Sequence, residues 1–246
     1  MSIIHSFFDN IIEIKRTGST NDLAEQFIIE NKSPGNFLIK ADEQTVGKGR
    51  NNNYWFSPRG GIWMTIGLFS FPIDINLTLF FGKVIHETLV SLFPELKNKL
   101  KIKWPNDLIY KDKKIGGILS KHLSNSKYHL IGIGLDTNID TLPPEIINIA
   151  ASLKSILNRS VDNEKIILNL FNRMELQLPD LLSSGLSVII KYLKQNSYLL
   201  NKSIVLDTDF HQFRGEVVNF QKDGAIILRL ESGIHQPFYS GHIILE

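Results

Sequence analysis

Residues 47–50 read Gly-Lys-Gly-Arg, which sets two positive side chains between glycines. Glycine lets backbone amides come close to an anion, and Arg50 adds a planar fork that matches a carboxylate or phosphate. The chemistry this suggests is a loop closing over an anionic ligand; a solvated basic turn is the alternative, and both readings stay open here. A second group lies in Lys103-Trp104-Pro105-Asn106-Asp107, followed by Lys114 and Gly116-Gly117. Asp107 and a lysine at the far end of a short hairpin could face one cavity. Ser19-Thr20-Asn21 forms a third group at the start of a helical pattern, where hydroxyls cap and free amides favour anions.

The elements that must hold these residues follow from periodicity. Residues 11–16 and 37–41 read as strands around a helix whose face is built by Leu23, Ala24, Phe27 and Ile28, with residues 31–35 ending it. Residues 42–67, polar and glycine-rich around Trp55-Phe56-Ser57-Pro58, read as a long loop running into a strand over 62–69. A helix is expected over 77–93. Lys97, Lys99, Lys101 and Lys103 suggest a strand with a solvated basic face, and 103–121 a hairpin with its tip at 111–114. Residues 128–135 form a buried strand, 150–157 a short helix, 163–182 a long helix capped by Asp162, and 186–195 a shorter one. Beyond residue 201 short strands and the turn signals Asp223-Gly224 and Ser232-Gly233 indicate a small all-β unit of roughly 45 residues, too small to be very stable alone. The expected division is 1–198 and 199–246.

With 246 residues, 43% of them hydrophobic and 15 phenylalanines, the chain can build a sizeable core. A net charge of +2 does not favour nucleic acid as a partner. The absence of cysteine excludes disulfides, thiolate metal sites and a thioester route, and fits a cytoplasmic setting. No apolar run reaches the roughly 18 residues of a membrane span. The seven histidines show no metal-ligand spacing, so no structural metal is expected.

Together these residues resemble the biotin–protein ligase (biotin–acetyl-CoA-carboxylase ligase) family. The resemblance is carried by Ser19-Thr20-Asn21, Gln44 with Gly47 to Arg50, Trp55 to Pro58, Lys103 to Asp107, Lys114 with Gly116 to Leu119, Ile131 to Leu135, and Ala151-Ser152-Leu153. It implies an α+β fold: a mixed, largely antiparallel sheet with packed helices, like the class II synthetases, plus a C-terminal SH3-like β barrel. It also implies the short form of the family, without an N-terminal DNA-binding domain. The implied reaction activates biotin with ATP and Mg2+ to biotinyl-5′-adenylate, then transfers biotin to a lysine of a biotin carboxyl carrier protein, in a monomer or homodimer.

Carried over residue by residue, Arg50, Lys114 and Asp107 are catalytic. Ser19, Thr20, Asn21, Gln44, Lys48, Gly49, Arg50, Lys114 and Gly117 bind biotin. Lys48, Arg50, Trp55, Asn106, Lys114 and Asn138 hold ATP or the adenylate. Trp55 is read as a lid anchor or as a core tryptophan at a strand start. The chain departs from the family at Lys48, usually arginine, at Asn51-Asn52-Asn53, where Asn52 is expected to take a left-handed backbone in place of glycine, and at Asp136, usually asparagine. A lipoate or octanoate ligase or transferase, and a biotin-binding protein without catalysis, are the alternatives.

Overall fold

The computed structural model describes residues 3–30, 35–72, 76–123, 126–208 and 211–245. Strand β1 (Asn10–Ile14) leads to helix α1 (Thr20–Glu30), β2 (Phe37–Ala41) and a small hairpin of β3 (Gln44–Lys48) and β4 (Tyr54–Ser57). Then come β5 (Ile62–Phe69), α2 (Leu77–Leu92), β6 (Leu100–Lys103), β7 (Asp107–Tyr110), β8 (Lys113–Leu123) and β9 (Tyr128–Leu135). Three helices follow, α3 (Leu153–Leu157), α4 (Asn163–Ser184) and α5 (Ser187–Asn196). The chain closes with β10 (Ser203–Asp207), β11 (Gln212–Phe220), β12 (Ile226–Leu230), β13 (His235–Phe238) and β14 (His242–Leu245).

Seven strands form one sheet in the order β1-β2-β5-β9-β8-β7-β6. Only β1 and β2 run parallel, because α1 supplies the crossover between them; the other neighbours are antiparallel. Successive side chains point to opposite faces, so the sheet sorts its residues in two. Ile131, Ile133 and Leu135 of β9 belong to the main core with Phe80, Phe81, Phe171 and Met174 of α2 and α4. On the other face, Tyr128 and Leu130 pack with Phe37, Ile39 and Ala24 beneath α1. Further along that same face β9 carries Gly132, against Asn21 in the first turn of α1, and Gly134, beneath Trp55, instead of large side chains.

The C-terminal unit is five antiparallel strands in the order β13-β12-β11-β10-β14, the small SH3-like β unit of the fold. Its Ile204, Val217, Phe220 and Leu228 join the same hydrophobic cluster as α2 and α4. Trp104, fully buried, donates from Nε1 to the Gly224 carbonyl at 2.8 Å and so ties the main sheet to a turn of this unit. Gly224 adopts φ +93, a backbone angle that favours glycine.

Several expectations need revision. Residues 42–67 are not an unstructured loop: β3 and β4 pair, and Thr45 N and Val46 N donate to Thr17 O and Gly18 O, so the hairpin is stitched to the start of α1. The left-handed residue is Asn51 (φ 54, ψ 34), not Asn52. The strand with a basic face begins only at Leu100, because a 3-10 turn at Pro94–Leu96 and Asn98 (φ 66) break the preceding chain. The short helix starts at Leu153, where Ser152 makes a capping box with Ser155. The expected helix end falls on residues 31–34, outside the described residues.

Candidate active site

The glycine-bearing face of the sheet forms the floor of a cavity of about 710 Å³, roofed by the β3–β4 hairpin. That size suits a ligand larger than a single small metabolite. Eleven of the residues singled out in the sequence border it: Thr20, Asn21, Gln44, Lys48, Gly49, Arg50, Trp55, Asn106, Asp107, Lys114 and Gly117.

At one end a buried polar chain is fixed by internal bonds. Thr20 donates from N and from Oγ1 to Gln44 Oε1, at 2.8 and 3.0 Å. Gln44 Nε2 in turn donates to Ser57 Oγ, and Thr65 Oγ1 donates to Thr20 Oγ1, each at 2.9 Å. These bonds lock the rotamer of Gln44. Asn21 closes this end: a side chain at Gly132 would sit 2.6 Å from Asn21 Nδ2, so only glycine lets the amide lie on the sheet. Its amide presents a donor and an acceptor side by side.

The centre is built on a β-bulge. Gly117 pairs with Asp107 and Gly116 with Leu108, but Lys114, not Ile115, pairs with Ile109. In a regular strand residues 114 and 117 would face opposite sides; the extra residue, Ile115, turns Lys114 to the side of Gly117 and Asp107. Lys114 Nζ then lies 2.7 Å from Asp107 Oδ1 and 4.7 Å from the centre of the Trp55 ring. The Trp55 ring lies flat on the floor, where a Cβ at Gly117 or Gly134 would meet it at 3.1 and 2.8 Å. Its Nε1 is buried and has no hydrogen-bond partner among the described residues. Lys103, opposite Asp107 in the β6–β7 ladder, has its ammonium pKa lowered by burial, an effect Asp107 opposes.

Arg50 closes the cavity from the hairpin. It donates through Nη1 to Asn106 Oδ1 and through Nη2 to the Gly241 carbonyl, both at 3.2 Å, so it bridges main sheet and C-terminal unit. The amide of Gly49 does not act as expected. Gly49 N already donates to Asn53 O and so offers no amide to an anion, and a side chain at Gly47 would strike the Trp55 carbonyl at 2.4 Å, so that glycine allows the close approach of the two strands. Lys48 Nζ lies 2.7 Å from Asp22 Oδ1, which clamps the hairpin to α1.

The geometry therefore brings two cations from distant parts of the chain, Arg50 and Lys114, to one cavity. The sequence model of the biotin/lipoate A/B protein ligase family matches residues 13–138, just over half of the chain and most of these side chains. The chain belongs to the biotin/lipoate A/B protein ligase family. Among individual relatives, it is 27% identical to the bifunctional ligase/repressor BirA of Bacillus spizizenii over 254 residues, covering 98% of this chain and 74% of that one. The BirA of Escherichia coli is likewise 27% identical over 235 residues, 93% and 71% of the two chains. A structure of the biotin protein ligase from Aquifex aeolicus in complex with biotin and ATP superposes with a TM-score of 0.84 at 25% identity, covering 97% of this chain and 99% of that one.

Two of the residues that the family resemblance singled out stand apart from the cavity. Ser19 stands just before α1, where its Oγ accepts from Asn21 N at 3.2 Å. Asn138 is a clasp: its Oδ1 accepts from Val161 N, its Nδ2 donates to Val161 O, and its backbone amide donates to Gly60 O. Conversely, the cavity includes residues that no motif indicated: Ile146, Ile149 and Ala150 of the connection before α3, and Gly241 and His242 from the far end of the chain. The Ile149 and Ala150 wall is fixed by two backbone bonds, Lys114 N to Ile149 O and Ala151 N to Lys114 O. Pro143-Pro144 marked this connection as a loop, but nothing local showed where it would dock.

Proposed function

We propose that this chain is a biotin–protein ligase: it activates biotin with Mg-ATP to biotinyl-5′-adenylate and passes the biotinyl group to a lysine of a biotin carboxyl carrier domain. The observation that carries this is the shared cavity of Arg50 and Lys114, with Lys114 oriented by Asp107. The similarity to biotin protein ligases over nearly the whole chain supports the choice of acid.

The first step drives a carboxylate onto an α-phosphate. Two unit charges 4 Å apart repel by about 4 kcal/mol at an effective dielectric of 20, a factor of roughly 10³ in rate if uncompensated. Lys114 from the floor and Arg50 from the roof offset this repulsion and the charge developing on the phosphate oxygens. Magnesium enters as the counter-ion of ATP. The polar end at Asn21, Thr20 and Gln44 suits the ureido ring of biotin, which needs donors and acceptors at one end of an otherwise apolar group. In the second step the carrier amine attacks the acyl carbon, an amide forms, AMP leaves, and the amine gives up a proton; Asp107 is the carboxylate nearest that junction. The hairpin, with Trp55 on the floor, shields the mixed anhydride from water. Residues 1–198 carry this site, and 199–246 complete it through Gly241 and His242.

The test is exchange of labelled pyrophosphate into ATP in the presence of biotin or lipoate. Exchange with biotin is expected; exchange with lipoate alone overturns the choice of acid. Mass spectrometry of a carrier domain incubated with the protein, biotin and Mg-ATP then separates a ligase from a protein that only binds biotin. Among the described residues no helix is long and apolar enough to cross a membrane.

A further inference from the structure

A second, smaller cavity of about 190 Å³ adjoins the first. Arg50, Asn106, Ile118 and Leu119 border both and so form the partition between them. Three bonds hold that partition. Arg50 Nη1 donates to Asn106 Oδ1 at 3.2 Å, and Asn106 Nδ2 donates to the Ile118 carbonyl at 3.3 Å. Ile118 N donates back to the Asn106 carbonyl at 2.9 Å. The next residue along the chain, Asp107, stands in the main cavity with Lys114.

The lining of the smaller cavity is of two kinds. Pro105, Ile118 and Leu119 give it apolar walls, while Ser120 and Tyr239 are exposed and mark its outer end. Tyr239 comes from the C-terminal unit, and its hydroxyl donates to Asp223 Oδ2 at 2.9 Å, which fixes the ring there. A carrier domain is far too large for either cavity. Only its lysine side chain can enter, a four-carbon stem that ends in an amine. The stem needs apolar walls, and the amine needs an acceptor close to the acyl carbon; Asn106 Oδ1 lies in the partition itself. In the ligase reading the adenylate fills the main cavity beneath the hairpin, so the amine needs a second way in.

We infer that the smaller cavity is the port through which the carrier lysine reaches the acyl carbon, and that Arg50 is its door. Arg50 has two arms, one on Asn106 Oδ1 and one on the Gly241 carbonyl. Turning Nη1 to the acyl phosphate leaves Nη2 on Gly241 and releases Asn106 Oδ1 to accept from the incoming amine. The amine site is therefore completed by formation of the adenylate, which orders the two steps. The charges of Arg50 and Lys114 beside the port favour the neutral, nucleophilic amine over the ammonium. The nitrogen then bonds to the acyl carbon and the bond from that carbon to the phosphate oxygen breaks. AMP leaves with the electron pair, and the surplus proton of the nitrogen passes to Asp107.

This inference rests on the ligase reading, and its test separates the two. The chain has no cysteine, so Ser120→Cys places a single thiol at the outer end of the port. Thr78→Cys repeats the test from the start of α2, and Ser183→Cys, on the exposed side of α4, is the control. Each folded protein is assayed before and after alkylation with a bulky maleimide. Three rates are measured: biotin-dependent pyrophosphate exchange, biotin transfer to a carrier domain, and biotin transfer to n-butylamine, a bare alkylamine. Alkylated Ser120→Cys should keep its exchange within about twofold and lose about 10²-fold in transfer to both amines, with the control losing neither. Unchanged transfer to butylamine overturns the inference, and with carrier transfer reduced it makes Ser120 part of a docking face instead. A fall in exchange equal to the fall in transfer also overturns it and assigns the cavity to pyrophosphate. Absence of biotin-dependent exchange before alkylation sinks the ligase reading and the port with it, whereas intact exchange with transfer insensitive to the plug sinks the port alone.

Discussion

Lys114 reaches Asp107, at 2.7 Å, only because an extra residue in β8 turns it onto the cavity face. The pair is partly shielded, with side-chain exposures of 31% and 18%, so the carboxylate fixes the ammonium more than it adds stability. Lys114→Met should therefore cost catalysis and leave folding intact. Biotin-dependent pyrophosphate exchange should fall roughly 10²–10³-fold, as for loss of one transition-state donor, with the melting temperature little changed. Asp107→Asn leaves the cation in place but loosens it, and the loss of exchange should be smaller. An equal loss in both variants would mean that Asp107 itself acts in the first step.

Gly134 and Gly117 are floor tiles beneath Trp55. A methyl group at residue 134 would sit 2.8 Å from Trp55 Nε1, and one at 117 would sit 3.1 Å from the ring. Gly134→Ala should displace the ring, destabilise the chain by about 1–3 kcal/mol and raise the KM for biotin, with Gly117→Ala milder. Thermal denaturation and the tryptophan emission maximum read this out; an unchanged spectrum in Gly134→Ala would mean that the ring does not rest there.

Arg50 holds Asn106 and the Gly241 carbonyl at once. Arg50→Lys keeps the charge but cannot span both partners, so the hairpin loses its tie to the C-terminal unit. The adenylate should then form and escape. Free biotinyl adenylate in the medium should rise at least about tenfold relative to product, measured by chromatography. Retention equal to wild type would remove Arg50 from the closing role.

Asp136 gives a prediction independent of substrate. Its carboxyl is raised by burial from 3.8 to about 8 in the folded chain, so between those values the unfolded chain releases a proton the folded chain retains. Stability from this group is complete below pH 4 and is lost as pH rises towards 8. Asp136→Asn, which cannot ionise, should be more stable than wild type by a few kcal/mol at pH 7 and should lose that advantage near pH 4. Chemical denaturation at the two pH values checks this, and a difference independent of pH would contradict it.

Much of this was legible before the structure because it is local. The strand and helix periods, Asp162 capping α4 at Lys165 N, and the turn at Lys111-Asp112 with φ 45 and 69 depend on neighbours in sequence. Arg50, Lys114 and Gln44 carried the family pattern. What could not be read depends on distant chain segments. The hairpin over 44–57 forms because Thr17 and Gly18 offer carbonyls to it, and no glycine-rich sequence announces that partner. The placing of Gly241 and His242 follows from the docking of the C-terminal strands, and that of Ile149 from a backbone bridge to Lys114. Asn138 shows the reverse: a residue singled out by its motif is spent on holding Val161 and the Gly60 turn.

The central claim is that Arg50 and Lys114 meet at the bond where an acid is joined to a nucleotide. A crystal structure of the chain with biotinyl-5′-adenylate tests it most directly. The account predicts the acyl phosphate between the Arg50 guanidinium and Lys114 Nζ, both within hydrogen-bonding distance, with the ureido ring at Asn21. An acyl phosphate bound away from either cation, or the two side chains pointing into separate regions with the ligand in place, would contradict it.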